Sequence, residues 1–494
     1  MRVSSVGNRA RAGIGSVALV TVFLGGNAFA AAARVGEIAV DTKAIAVERF
    51  LGFGAEWDPQ FWADFNLKLG ANEGDWATVV RRIRWMKLPF VRMMIQAKWC
   101  TPLGDGKFDW NSPAMRSLYR HLDVCRQEGI AVFLTDWGCA TWCKVPGFSG
   151  NDDPRYADAI GTYLDYLINQ KGYSCIRYFI LVNEPNYEGG GWEHWKKGVE
   201  NVAKVLAARK LPVTFVGTDE AHDEAWHRRG VEQLAPLFGV WDLHRYAPKA
   251  EVLDGGLERF LREQWDYVVA KDPQGKRKPC IVGEAGMRDG MVGAHANAHI
   301  DSYDYGVFMA DYAVQAARAG TAAVSAWMLD DSSHSGFKWG MWKNKTEGFA
   351  LRPWFYTWSL LARCVPAGST IFKVPQPNAR FRILAARLPL RDGRKAPDWT
   401  FVLVNRGDAE VALTLRVPGA GDATFRHYLY TRSSAPADND GFPMPVKEAK
   451  ANLAEGFDVS CPSDAALLLT SQVHEDRQQH RDAEWQHDGE PEAE

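Results

Sequence analysis

The sequence contains no Cys-X-X-Cys pair, no strong net charge and, beyond its first thirty residues, no run approaching membrane-spanning length. The eight cysteines, at positions 100, 125, 139, 143, 175, 280, 364 and 461, lack the spacing of a zinc ribbon or a thioredoxin-type centre, so neither is expected. A formal charge of -2, from 58 Lys+Arg against 60 Asp+Glu, offers no field to draw in a polyanion, and nucleic acid is not an expected partner. The apolar stretch from Ser16 to Gly26 (SVALVTVFLGG) is too short to span a bilayer. It follows Arg2, Arg9 and Arg11 and precedes the small-x-small triplet Ala28-Phe29-Ala30. That order reads as a signal peptide over residues 1–30 and an exported, secreted or periplasmic protein, with no stable membrane insertion. In such a compartment some cysteines are expected to pair, and Cys100, Cys139 and Cys143 lie on loops that could meet; spacing does not fix the connectivity.

What is present is a large apolar inventory. Of 494 residues, 46% are hydrophobic and 12% aromatic, with 20 tryptophans, the composition of a globular chain with a sizeable core. Indoles on loops also suit a sugar-binding cleft, because pyranose rings present apolar C-H faces that stack on aromatic rings.

Strand-like runs recur along the chain, each followed by a helical pattern: FLGFGAEW (50–57), FVRMMIQ (90–96), AVFLTDWG (131–138), RYFILVNE (177–184), VTFVGTDE (213–220), WDLHRYA (241–247), CIVGEAG (280–286) and AAVSAWML (322–329). They are continuous rather than alternating, as strands buried on both faces require. Ser112-Pro113 reads as a helix start, Val199, Val202 and Leu206 recur at helical spacing, and 353–365 reads as an eighth helix. Eight such units predict an α/β fold, a (β/α)8 TIM barrel over 48–365. An open doubly wound sheet is the alternative, weakened by the lack of a G-x-G-x-x-G after the first strand. Beyond residue 366, short runs separated by Pro, Gly, Asp and Asn predict an additional antiparallel β-sandwich. The early stretch 34–47 is expected to join residues 366–471 in that side domain, and 472–494, almost without apolar residues, to be a disordered charged tail.

A barrel places its chemistry at the carboxyl ends of its strands. The polar residues there are Glu56 and Asp58, Arg92, Asp136, Asn183 and Glu184, Asp219 and Glu220, His244 and Tyr246, and Glu284. Glu184 and Glu284 each end a hydrophobic strand three units apart, which sets them facing across the mouth. One strand-end acid alone is as readily a cap or an ion-pair partner. Two glutamates across an aromatic-rich cavity are what glycoside cleavage needs, one carboxyl to protonate the leaving oxygen and one ionised to attack or assist. A nearby cation such as Arg92 would hold one of them ionised.

VNEP at the fourth strand, HRY at the sixth, GEAG at the seventh and AW at the eighth resemble glycoside hydrolase clan A, the retaining (β/α)8 glycosidases that include cellulase-like and glucosylceramidase-like families. The resemblance covers roughly 48–365, and the LGFGAEW strand with a C-terminal sandwich is more similar to the glucosylceramidase-like arrangement. It implies Glu184 as acid/base, Glu284 as nucleophile, Asn183 as a donor to the sugar 2-hydroxyl, Arg92 and Tyr246 as supports of the nucleophile, and Trp327 as the floor of the subsite; His244 matches a histidine two residues before that tyrosine. Trp57, Trp137 and Trp192 are further candidates to bind substrate, among several indoles at strand ends that also include Trp62, Trp99, Trp142, Trp339 and Trp342. The expected activity is double-displacement hydrolysis of β-glycosidic bonds in a poly- or oligosaccharide, without cofactor or metal. A non-catalytic polysaccharide-binding barrel and a transglycosylase are the alternatives. Asp330, Asp331 and His334 read as a hydrophilic loop rather than a metal site, and HDEAWH (222–227) spaces its histidines by five, unlike HExxH.

Overall fold

The computed structural model describes residues 33–332, 336–391 and 393–473. The signal-peptide segment, His334 and the charged tail from 474 lie outside the described residues.

Eight parallel strands close into a barrel: Gly52–Glu56, Phe90–Ile95, Ala131–Asp136, Ile176–Leu181, Thr214–Ala221, Val240–Ala247, Cys280–Met287 and Ala323–Ala326, the last pairing with the first. This is the fold the strand runs predict, and the reason is burial: Phe90–Ile95 and Cys280–Met287 are buried at every position, so no polar face breaks their apolar pattern. Helices Glu73–Met86, Pro113–Glu128, Pro154–Asp165, Trp192–Ala208, Glu224–Leu234, Gly256–Lys271, Tyr303–Ala319 and Trp354–Cys364 return the chain between strands and cover the barrel. Their starts are written in the sequence. The Ser112 hydroxyl accepts from Met115 N with Pro113 in the first turn, and Asn72 and Asp75 form a reciprocal capping box. Gly54 is required where the first strand meets the second, since a Cβ there would lie 2.5 Å from the Phe90 carbonyl oxygen.

Met291–Val292 and Ala296–Asn297 pair as a short two-stranded sheet, and the other strands form the sandwich. A seven-stranded sheet runs in the order Lys447–Asn452, Asp422–Tyr430, Ala465–Thr470, Trp399–Asn405, Phe381–Arg387, Thr370–Phe372 and Ile45–Val47; the facing sheet orders Ala33–Ala39, Val411–Arg416 and Phe457–Cys461. Ala33–Ala39 runs parallel to Val411–Arg416, whereas the other sandwich pairs are antiparallel. Phe381, Ile383 and Ala385 face the sandwich core with Phe401 and Phe425, while Leu384 and Ala386 face the barrel core, so this sheet is buried on both sides. Arg382 crosses the boundary to Asp311 of the barrel at 2.9 Å, both fully buried.

All eight cysteines are free and buried, contrary to the expectation that some pair. Cys125, Cys280, Cys364 and Cys461 lie in helices and strands and the other four in turns and loops, and burial pushes the Cys143 and Cys175 thiols up to about 11. No helix among the described residues is long and apolar enough to cross a membrane.

Candidate active site

At the end of the fourth strand the chain leaves extended geometry abruptly. Val182 and Glu184 both adopt positive φ, 70° and 46°, which costs side-chain-bearing residues on the order of 1–3 kcal/mol each. The turn is held from several directions. Val182 N donates to the Asp136 carbonyl oxygen at 2.9 Å, and the Glu184 carbonyl accepts from Tyr187 N and Glu188 N at 2.8 and 2.9 Å, opening a short helix with Pro185 in its first turn. Asn186 exchanges two hydrogen bonds with the backbone of Ala221 at the fifth strand end. The Glu184 side chain emerges 23% exposed, against 5% for that of Glu284.

Arg92 is the hub beneath the two glutamates. Its guanidinium donates to Glu284 Oε1 (2.8 Å), Asn183 Oδ1 (2.8 Å) and Asp219 Oδ2 (2.9 Å). The Tyr246 hydroxyl donates to Glu284 Oε2 at 2.6 Å. His244 Nδ1 lies 3.0 Å from Glu184 Oε1 and 3.6 Å from Glu284 Oε2, and its Nε2 lies 3.1 Å from Asp219 Oδ1. A carboxylate oxygen of Glu184 and one of Glu284 fall within 4.8 Å of each other. Glu184, Glu284, Asn183, Arg92, His244 and Tyr246 are thus brought into one network by strand ends that are adjacent or opposite in the closed barrel.

The electrostatics follow from burial working against charge. Burial pushes the Glu284 carboxyl above its ordinary value; the His244 and Arg92 cations pull it back and Glu184 pushes it up further. Burial alone would deprotonate His244, but Glu284, Asp219 and Glu184 outweigh it and hold the imidazole well above its usual range. Asp219 is kept low against burial by Arg92 and His244. Tyr246 is pushed well up, by burial and then by Glu284, and stays a hydroxyl donor.

Two residues of this network carried no assigned role from sequence. Asp219 ends the fifth strand, so its polarity was visible, but its partners were not. Asp242 lies inside the sixth strand, fully buried, with its carboxyl turned to that of Asp219. Gly283 makes its space: a Cβ there would stand 2.5 Å from Asp242 Oδ2. Burial, and then the neighbouring Asp219, push the Asp242 carboxyl well above its usual range, which favours the protonated form. Ligand-type atoms of Glu184, His244 and Glu284, and of Asp219, Asp242 and His244, lie within 4.8 Å of one another. Arg92 already bonds both Glu284 and Asp219, and His244 contacts carboxylates through both ring nitrogens, so these donors are engaged without an ion.

The indoles divide. Trp137 is half-buried and meets the exposed Trp142 edge to face at 5.0 Å. Trp327, following the eighth strand, is 6% exposed and edge-on to Phe337. Trp57 is fully buried, stacked on Trp76 at 5.7 Å and against His121, and Trp192 packs on Trp195 and Trp226 with Arg229 over its face. Neither is brought to the carboxylates: each finds apolar partners on a helix instead. Asp331 is engaged by Arg352 through both oxygens at 2.8 Å, a structural ion pair rather than part of a metal site.

No protein-family model matches the sequence, and no curated protein matches it. Solved structures do share the fold. The glycoside hydrolase family 30 subfamily 8 xylanase Xyn30A from Clostridium acetobutylicum aligns over 88% of this chain and 100% of its own at TM-score 0.58 and 14% identity. A monomeric β-xylosidase from Caulobacter crescentus aligns over 89% and 99% at 0.60 and 16%, and a GH51 α-L-arabinofuranosidase from Thermotoga petrophila over 88% and 100% at 0.63 and 14%. The class defined is therefore architectural, a (β/α)8 barrel carrying a β-sandwich, the fold shared with these clan A glycosidases.

Proposed function

We propose that this protein is an exported retaining glycosidase that hydrolyses β-glycosidic bonds, with Glu284 as nucleophile and Glu184 as acid/base. The observation that carries the reading is the approach of the two carboxyl groups to within 4.8 Å, oxygen to oxygen. Retaining enzymes hold their carboxyls about 5–5.5 Å apart, whereas inverting ones need about 6.5–9.5 Å to admit a water. The surroundings support the division of roles. Glu284, bonded by Arg92 and Tyr246, has its oxygens oriented and its charge balanced for attack; Glu184 is the more exposed of the two and reaches the leaving oxygen.

In the first step a Glu284 oxygen bonds to the anomeric carbon as the glycosidic C–O bond breaks, and the proton on Glu184 goes to the departing oxygen. In the second, water attacks the same carbon while Glu184 takes its proton, the ester to Glu284 breaks, and configuration is retained. Asn183, fixed by Arg92 through its carbonyl oxygen, leaves its amide N–H groups to donate to a sugar hydroxyl, and Trp327 floors the subsite. The xylanase, β-xylosidase and α-L-arabinofuranosidase neighbours favour a pentose-containing glycan as substrate.

The test is mechanism-based trapping. A panel of 2-deoxy-2-fluoroglycosyl fluorides is expected to leave one glycosyl adduct on Glu284, found by peptide mass spectrometry, and the product of normal turnover to keep its anomeric configuration by NMR. An adduct elsewhere, an inverted product or a fully active Glu284→Ala protein would overturn the assignment.

A further inference from the structure

Two of the large side chains exposed on this protein stand on consecutive loops of the barrel mouth, beside Glu184. Trp142 is 54% exposed and Tyr187 61%. Trp142 lies on the loop after the third strand, Tyr187 in the short helix Pro185–Glu188 that Glu184 opens. The two loops are stitched together. The Thr141 hydroxyl donates to the Glu188 carboxylate, Asn151 Nδ2 donates to the Gly189 carbonyl at 2.9 Å, and Asn151 Oδ1 accepts from Cys139 N at 2.6 Å. At Gly138, which has φ +86°, an added Cβ would lie 2.7 Å from the Val182 side chain, so only glycine lets the Trp loop sit this close to the Glu184 turn. Trp142 is held from one edge by Trp137, and Lys98 Nζ is 5.7 Å from its ring centroid.

This is a fixed arrangement rather than a chance exposure. Asp136 under the Trp loop accepts from the hydroxyls of Tyr156 and Tyr163 and from Gly138 N, and all three donors are spent on holding that turn. The fold therefore anchors the base of the loop firmly while leaving the indole at its tip in water. An indole left uncovered in this way forgoes burial that the same ring obtains at Trp57 and Trp192.

Resting on the glycosidase reading, we infer that Trp142 and Tyr187 form a sugar-stacking platform on the leaving-group side of the scissile bond, so that the substrate is a chain with at least one sugar beyond the cleaved linkage. The side follows from chemistry: the acid/base group protonates the leaving oxygen, so the residues that flank Glu184 and not Glu284 face the leaving group. Aromatic faces of this kind take the apolar C-H faces of pyranoses. The Glu188 carboxylate, which accepts from the Thr141 hydroxyl beside the platform, would repel an acidic sugar, and this suits a neutral glycan.

The experiment separates the platform from the catalytic reading. Glu184→Gln protein, which binds without turning over, is titrated calorimetrically with xylotetraose, cellotetraose and mannotetraose, with and without Trp142→Ala or Tyr187→Ala. In parallel, the Trp142→Ala and Tyr187→Ala enzymes with Glu184 intact are assayed on those chains and on glycosyl fluorides, whose leaving group is too small to reach either ring. The platform predicts that each substitution weakens binding of the best chain by about tenfold, the change that one aromatic contact carries. It also predicts that kcat/KM falls about tenfold further on the chain than on the fluoride. Unchanged affinity, equal losses on both substrates, or no binding of any tetraose would overturn it. Absence of turnover on every fluoride by the unsubstituted enzyme would instead sink the glycosidase reading, while the binding arm still decides the platform.

Discussion

The imidazole of His244 is held between Glu184 and Asp219, with Nδ1 3.0 Å from the first and Nε2 3.1 Å from the second. A neutral imidazole has one donor and one acceptor, so the ring donates through both nitrogens only when it carries both protons. Three neighbouring carboxylates make that the favoured state despite burial.

His244 is, after burial, the largest influence on Glu284, and it acts to lower its pKa. A carboxylate nucleophile is lost as pH falls through its pKa, so with Glu284 in the proposed role the acid limb of kcat/KM is expected to report it. His244→Asn removes the cation and is expected to move that limb to higher pH. At neutral pH kcat/KM should drop about 10- to 100-fold, the range for one charge-assisted hydrogen bond. A pH–rate profile with an unmoved acid limb would contradict this.

Asp219 and Asp242 should respond in opposite ways to the same chemical change. Asp219 is ionised and balances Arg92 and His244; Asp219→Asn leaves two buried cations short of a partner, and the loss of stability is expected to be about 3–5 kcal/mol. The Asp242 carboxyl is pushed well up by burial and Asp219, so Asp242→Asn, which resembles the protonated acid, should cost little and leave the pH–rate profile in place. Denaturant unfolding of the two variants, side by side, checks the contrast.

Glu220, at the fifth strand end, is pushed up to about 8 by burial, against an accepted hydrogen bond from Asp223 N at 2.7 Å. In the unfolded chain it ionises near 4.5. Between those values the unfolded state releases a proton that the folded state keeps, so its presence destabilises the fold increasingly as pH rises from about 4.5 to about 8. Glu220→Gln removes that penalty. Its Tm advantage should be absent at pH 4, grow through pH 6 and level off above pH 8; a constant difference across the range would argue against a buried neutral acid.

The Asp311–Arg382 pair ties the helix Tyr303–Ala319 to the sandwich strand Phe381–Arg387 at 2.9 Å. Burial raises the Asp311 carboxyl and lowers the Arg382 guanidinium, the signature of ions held at a solvation cost. Asp311→Ala leaves Arg382 unpaired and should destabilise by about 3–5 kcal/mol, while Asp311→Leu with Arg382→Met should recover most of that loss. Calorimetry of the single and double variants measures the recovery.

The barrel was legible because its strands are buried on both faces. Phe90–Ile95 is apolar at every position but Arg92, so it reads as a strand without help from its neighbours. Lys447–Asn452 carries no such run: it is an edge strand of polar or small, exposed or half-buried residues, and its only signal is the partner Asp422–Tyr430. Phe457–Cys461 alternates buried and exposed positions, but over only five residues. Glu184 and Glu284 stood out because a carboxylate after an apolar run is conspicuous. Trp57 and Trp192 read the same as Trp137, since a tryptophan at a strand end carries no mark of whether it turns to the mouth or onto a helix. The free cysteines show the same limit, as loop positions do not reveal that each sulfur is enclosed by its own local packing.

Local pattern alone determined the succession of strands and helices, the caps that begin the helices and the placing of acids at strand ends, because each depends on residues within a few positions of one another. Closure of the barrel decided the rest. Arg92 meets Glu284 across 192 residues of sequence, and only such meetings hold the Asp219 carboxyl below its ordinary value and push Asp242 and His244 above theirs. Charge interactions and burial act over a few ångströms in space, a scale on which separation along the chain carries no information.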